Sequence, residues 1–154
     1  MLPCWWRRAF GLTLPPEEAQ YLELYLAAYL GAEDPWGSAQ EMELRNLEAA
    51  LIREMEKALH TDLSGYTSLR DDLYCHLRPM LLRVEQNIRT ENPQLDTIRT
   101  AYPGLWKATR AACDAVQQQF VLPAISDDEA AYLAMHFGAV LEQNAMFRLR
   151  LRVV

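Results

Sequence analysis

Residues 68–89 read Ser-Leu-Arg-Asp-Asp-Leu-Tyr-Cys-His-Leu-Arg-Pro-Met-Leu-Leu-Arg-Val-Glu-Gln-Asn-Ile-Arg, with Leu69, Leu73, Leu77, Met80, Val84 and Ile88 at steps of 4, 4, 3, 4 and 4. That rhythm puts the apolar side chains on one face of an α-helix. A strand would alternate at every second residue, and this stretch does not. A helix with one apolar stripe draws most of its stability from burying it, so the stretch demands packing partners.

Both flanks supply them. Upstream, Leu44, Leu47, Leu51, Met55, Ala58 and Leu59 carry a helical rhythm through residues 39–61, introduced by Gly37-Ser38, with Glu41 completing a capping box. Downstream, Asn92-Pro93 restarts the chain, with Asn as N-cap and Pro at the first helical position. A short helix through Leu95 and Ile98 ends before Pro103, since proline pushes the residue before it out of the helical region. Residues 104–120 form another helix, and Ser126-Asp127-Asp128-Glu129 is a second capping box opening a helix to about residue 146. The prediction is an all-α bundle of about five helices. Only the stretch from Arg148 to Val154 alternates with period two, and it reads either as a tail or as the start of a strand.

Composition narrows the function. The chain has 154 residues, 51% of them hydrophobic and 23% charged, enough for one well-packed domain. Its net charge of -6 excludes a basic nucleic-acid footprint, which needs clustered Lys and Arg. The 3 cysteines, Cys4, Cys75 and Cys113, are widely spaced and form no CxxC, which argues against a disulfide framework and for a reducing cytoplasm. No apolar run reaches membrane-spanning length, and Trp5-Trp6 run straight into Arg7-Arg8 where a signal peptide would carry its apolar core.

An internal repeat is legible. Glu18, Tyr21, Leu22, Tyr25, Leu26, Ala28 and Leu30 align with Glu129, Tyr132, Leu133, His136, Phe137, Ala139 and Leu141. Only the second of these helices has a full set of helices before it. Residues 1–34 therefore read as the closing helix of an earlier, truncated copy plus a linker, 38–146 as the complete domain, and 147–154 as a tail or the start of a following domain.

Chemistry-bearing residues are few. Of the 3 histidines, His76 lies roughly 70° from the centre of the apolar stripe, at the edge between core and surface. His136 lies on the corresponding edge of the helix from Glu129, one turn from Tyr132. Arg83 falls on the same flank as His76, two turns along. Taken by geometry alone, such histidines are ordinary hydrogen-bonded packing residues, Pro79 is a kink or a helix start, and Asn92 is an N-cap. His60 ends a helix, where a partial positive charge suits the macrodipole. Asp72 and His76 are spaced i, i+4, as metal ligands can be, but no HExxH or Glu-x-x-His accompanies them. No GxGxxG, P-loop or GxSxG motif occurs, and Cys75 beside His76 does not make a nucleophile–base pair, because adjacent helical residues diverge.

The ordered run His76-Leu77-x-Pro79-x-x-x-Arg83, Asn92-Pro93-x-Leu95, Tyr102-Pro103 and Glu129-x-x-Tyr132-x-x-x-His136-Phe137 resembles the PTS regulation domain (PRD). That is the all-helical sensor module of bacterial sugar-operon antiterminators and activators, and the likeness covers about residues 40–145. The resemblance implies tandem copies, homodimers, and a regulatory domain rather than an enzyme, with no cofactor. It implies phosphorylation of His76 and His136 by the histidine phosphocarrier protein or an enzyme II B component of the phosphotransferase system. Neutral imidazole suits such a relay, being nucleophilic near pH 7.

The product carries charge that must be paired or solvated at a packed boundary. Arg83 is then the candidate to stabilise phosphate as a bidentate donor, its plainer role being a surface ion pair with Glu85 or another acid; Asn92 and Tyr132 are supporting residues. Three departures stand out. Tyr25 replaces the histidine of the first copy, Cys75 stands where the family often has an acid, and no nucleic-acid-reading segment is present. The output domain is expected upstream, and the stretch from Leu149 to Val154 resembles the first strand of an enzyme II B-like domain, as in the larger activators. Two other readings compete: a dimerisation scaffold that is never phosphorylated, and a metal-binding helical bundle built on His76, His136 and nearby carboxylates.

Overall fold

The computed structural model describes residues 37–142, with side chains from residue 40 onward. The proposed earlier copy in residues 1–34 and the tail in 147–154 lie outside these residues. The chain divides into two compact units, Met1–Glu41 and Met42–Val154, and the second holds almost everything described below. Among the described residues there are five helices and no strand: α1 Gly37–Leu59, α2 Thr67–Glu85, α3 Leu95–Ala101, α4 Pro103–Gln119 and α5 Asp127–Leu141.

Helix α5 is the hub. It packs against α2, α3 and α4, and α3 packs against α4. Ala130, Ala131, Leu133, Ala134, Phe137, Gly138, Val140 and Leu141 are all buried, so α5 is apolar almost all round, as a central helix must be. Its small residues let neighbours approach: a Cβ on Gly138 would stand 3.0 Å from Leu105 Cδ2 on α4. Helix α1 joins α2 through a charged seam. Glu48 is fully buried and receives Arg70 at 3.2 Å and Arg45 at 3.0 Å, while the Arg45 guanidinium lies 3.7 Å from the centre of the Tyr74 ring.

The stripe read from sequence is buried at Leu69, Leu73, Leu77 and Met80. It then departs from expectation: Leu81 and Arg83 are buried where Val84 is only half-buried, and α2 stops at Glu85, short of Ile88. The stop has a local cause. Asn87 adopts φ 53°, and Ile88 N–H donates to the Arg83 carbonyl at 2.8 Å, the αL termination that asparagine tolerates. His60 ends α1 and Val121 ends α4 in the same way, at φ 50° and 53°.

Pro79 sits inside α2 and neither starts nor ends it. Having no N–H, it removes one rung from the ladder, the bond to the Cys75 carbonyl. Asn92 fulfils the capping chemistry, its Oδ1 accepting from Gln94 N–H at 2.9 Å, although regular helix begins only at Leu95. As expected, α3 ends before Pro103, with Tyr102 at φ -130°. Helix α1 is already running at Gly37, so Ser38 lies within it and is not its cap. At α5, half of the capping box forms: Ser126 Oγ accepts from Glu129 N–H at 3.2 Å, but the Glu129 carboxylate turns elsewhere. The helix itself ends at Leu141, short of residue 146, the residues from 143 on lying outside those described.

Candidate functional site

Helices α2 and α5 run antiparallel, and two pairs of side chains mark their register. His76 faces His136, with ring centroids 4.8 Å apart and planes inclined at 52°. Arg83, seven residues on along α2, faces Glu129, seven residues back along α5. Seven residues make two helical turns, so both pairs fall on one seam of the interface.

At the first pair both imidazoles are half-buried, as their wheel positions predict. His76 lies deeper. Its Nε2 is shut off from solvent and has no hydrogen-bond partner among the described residues. Tyr132 packs beside it, its ring centroid 5.9 Å from that of His76. The Tyr132 hydroxyl donates to the Glu91 carbonyl at 3.0 Å, tethering the ring to the loop after α2. Burial, then the fields of His136 and Arg83, push the His76 pKa down to about 3. Burial also lowers His136, against the opposing pull of Asp72 one turn before His76. Both rings are thus neutral at pH 7, with a lone pair available on one nitrogen each.

The second pair is a buried, bidentate ion pair. Arg83 Nε donates to Glu129 Oε1 at 2.6 Å and Nη2 to Oε2 at 2.9 Å, with side chains only 9% and 3% exposed. The plainer reading of Arg83, an ion pair with Glu85 or another acid, differs in one respect: the acid lies on another helix and the pair is in the core and not at the surface. A cleft of about 370 Å³ opens beside it, lined by Arg83, Arg89, Glu91, Ser126, Asp128 and Glu129 among others. Asn92 is buried at the rim, where its N–H donates to Asp128 Oδ1 at 2.9 Å and its Nδ2 reaches Met135 Sδ at 3.6 Å.

The structure thus brings His76, His136 and Tyr132 into one cluster and places Arg83 two turns away. Sequence reading missed Glu129 as the partner of Arg83, having assigned it to the capping box. The signal was present: seven-residue spacing from His76 to Arg83 and from Glu129 to His136, in opposite order on two helices. Among the described residues no three His, Cys, Asp or Glu side chains converge as a metal site would require, and no helix is long and apolar enough to cross a membrane. Neither Cys75 nor Cys113 is in a disulfide, and burial pushes the Cys113 thiol up to about 12, leaving it inert.

A family model described as the PRD domain matches residues 49–140. The chain is 30% identical over 139 residues to the transcriptional regulator ManR of Bacillus subtilis, and 27% identical over 143 residues to the probable licABCH operon regulator of that organism. Each alignment covers 87% of this chain but 21% of the relative. It is also 30% identical over 142 residues to the stationary phase-inducible protein CsiE of Escherichia coli, covering 91% of this chain and 33% of that one. The chain therefore spans about a fifth of the length of the first two relatives. No solved structure matches.

Proposed function

This chain belongs to the PRD domain family, and we propose that it is the phosphorylation-controlled regulatory domain of a cytoplasmic regulator of sugar utilisation. His76 and His136 are its phosphoryl acceptors. The observation that carries the reading is their juxtaposition across α2 and α5 as two neutral imidazoles. Such a pair offers nucleophiles but no substrate pocket or general acid, which suits a signal receiver and not an enzyme with turnover. Two of the relatives are named as regulators, one of an operon.

Phosphate comes from the histidine phosphocarrier protein or an enzyme II B component. The donor's bond to phosphorus breaks as the imidazole's forms, and the proton leaving the acceptor ring passes through water to the donor group. The new group carries close to two negative charges into a helix interface. It then competes with Glu129 for Arg83, whose guanidinium already acts on His76 electrostatically. Either Arg83 changes partner or α2 and α5 shift against each other. In a homodimer, that shift is passed to the neighbouring copy and to the output domain.

The test is phosphotransfer followed by intact mass. The chain is incubated with phosphoenolpyruvate, enzyme I and the phosphocarrier protein, with and without enzyme II B components. Acid-labile phosphate that disappears in the double variant His76→Ala/His136→Ala is the expected result. A folded chain that takes no phosphate from any donor would leave the domain as a dimerisation scaffold.

A further inference from the structure

The two histidines are not equivalent. Among the described residues, His76 Nε2 is closed off from solvent and has no hydrogen-bond partner, and rings of His136 and Tyr132 pack beside that of His76. Tyr132 is fixed from the far side by its hydroxyl bond to the Glu91 carbonyl. A phosphohistidine donor must bring its phosphorus in line with the attacking nitrogen, and a nitrogen shut off from solvent beside two packed rings gives it no such approach. His136 is the less deeply buried of the two, has neither ring nitrogen shut off without a partner, and lies within the field of Asp72 on α2.

Resting on the proposed phosphoryl transfer, we infer that His136 and Tyr132 form a shutter over His76, so that the domain is phosphorylated in a fixed order, His136 first. In that first step the donor N–P bond breaks and a His136 N–P bond forms. The proton displaced from the His136 ring returns through water to the donor imidazole. The dianionic group is poorly solvated against a neighbouring imidazole at a half-buried seam, so the His136 ring turns outward to solvent. His76 Nε2 is then uncovered and accepts a second phosphoryl group by the same balanced exchange. Tyr132 acts here as a positioning residue, through the ring it holds in place and not through contact with phosphorus.

Before the first transfer, His76 reacts at Nε2 only from the minor open state. With such states populated at about 10% or less, its initial rate should fall at least about tenfold below that of His136. The experiment is a phosphorylation time course on the whole chain with the phosphocarrier protein as donor, and the label is assigned to each histidine by peptide mass mapping. In the wild-type chain, label appears on His136 before His76. In Tyr132→Ala, and more mildly in Tyr132→Phe, which cuts only the tether to Glu91, the ratio of initial rates shifts toward His76. In His136→Ala, His76 is labelled faster than in the wild-type chain during the first interval. Early label on His76 in the wild-type chain would overturn the order, whatever the variants do. An unchanged ratio in folded Tyr132 variants would overturn the shutter. Absence of label on both residues would sink the phosphorylation reading itself, a failure distinct from wrong order.

Discussion

At the scale of single residues, His76 makes the domain sensitive to acid. Its pKa is near 6.5 in the unfolded chain and about 3 in the folded one, so between those values the unfolded state holds the extra proton. Its contribution to stability is complete above pH 6.5 and is lost as the pH falls toward 3, at up to about 1.4 kcal/mol per pH unit. His136 shifts in the same direction. Urea unfolding between pH 7 and pH 4 should show the loss, and His76→Phe should flatten the curve relative to the wild-type chain. Val121 tells a different story. A β-branched residue at φ 53°, 88% exposed, holds strain that no buried contact offsets. Val121→Gly should raise stability by up to about 1 kcal/mol, the αL relief exceeding the entropy glycine adds to the unfolded chain. The histidines' half-buried positions were legible from the helical wheel. Their contact was not, because a wheel fixes direction on one helix and says nothing of which neighbour meets it.

At the scale of elements, the α2–α5 seam is held at one end by Arg83 and Glu129. Removing Arg83 leaves the Glu129 carboxylate buried without its bidentate cation, so Arg83→Met should cost about 3–5 kcal/mol, and Glu129→Leu, which takes one partner from Arg83, should cost less. The double variant should recover much of that loss, and a thermal-denaturation double-mutant cycle measures the coupling. If the singles are mild and additive, the pair is more open to water than its burial indicates. Sequence gave the elements readily, because apolar spacing, Asn92-Pro93, Pro103 and Ser126 are local signals. It misplaced Glu129, because Ser-x-x-Glu is a capping box by local rules and a tertiary arginine overrode half of it. It overran α2 for a related reason: Ile88 keeps the rhythm of the stripe, while the turn at Asn87 has already ended the helix. Ser126 still caps α5, and Ser126→Ala should cost about 1 kcal/mol in the same denaturation assay.

At the scale of the whole molecule, the all-helical class was legible from periodicity, and the family and the residues of the candidate site from the order of motifs, but the meeting of those residues was not, since it is made by two helices far apart in the chain. If phosphate acts by moving α2 against α5, sedimentation should find a different monomer–dimer equilibrium after phosphorylation, and Arg83→Met should blunt that difference. An unchanged equilibrium would place the readout elsewhere in the assembly. The separation of 46 residues along the chain from Arg83 to Glu129 also bears on when the domain can be read at all. Helices α3 and α4 lie wholly within that interval and form from near neighbours, whereas the seam closes only across it, a contact of high order that comes late in folding. On the ribosome, α2 emerges with His76 bare and stays so until α5 has been synthesised and docked. If His76 accepts phosphate as proposed, a donor that meets the nascent chain finds that histidine unguarded. Phosphate on His76 of a newly made molecule would then depend on whether a donor reached it before α5 docked, and not only on what the finished fold permits.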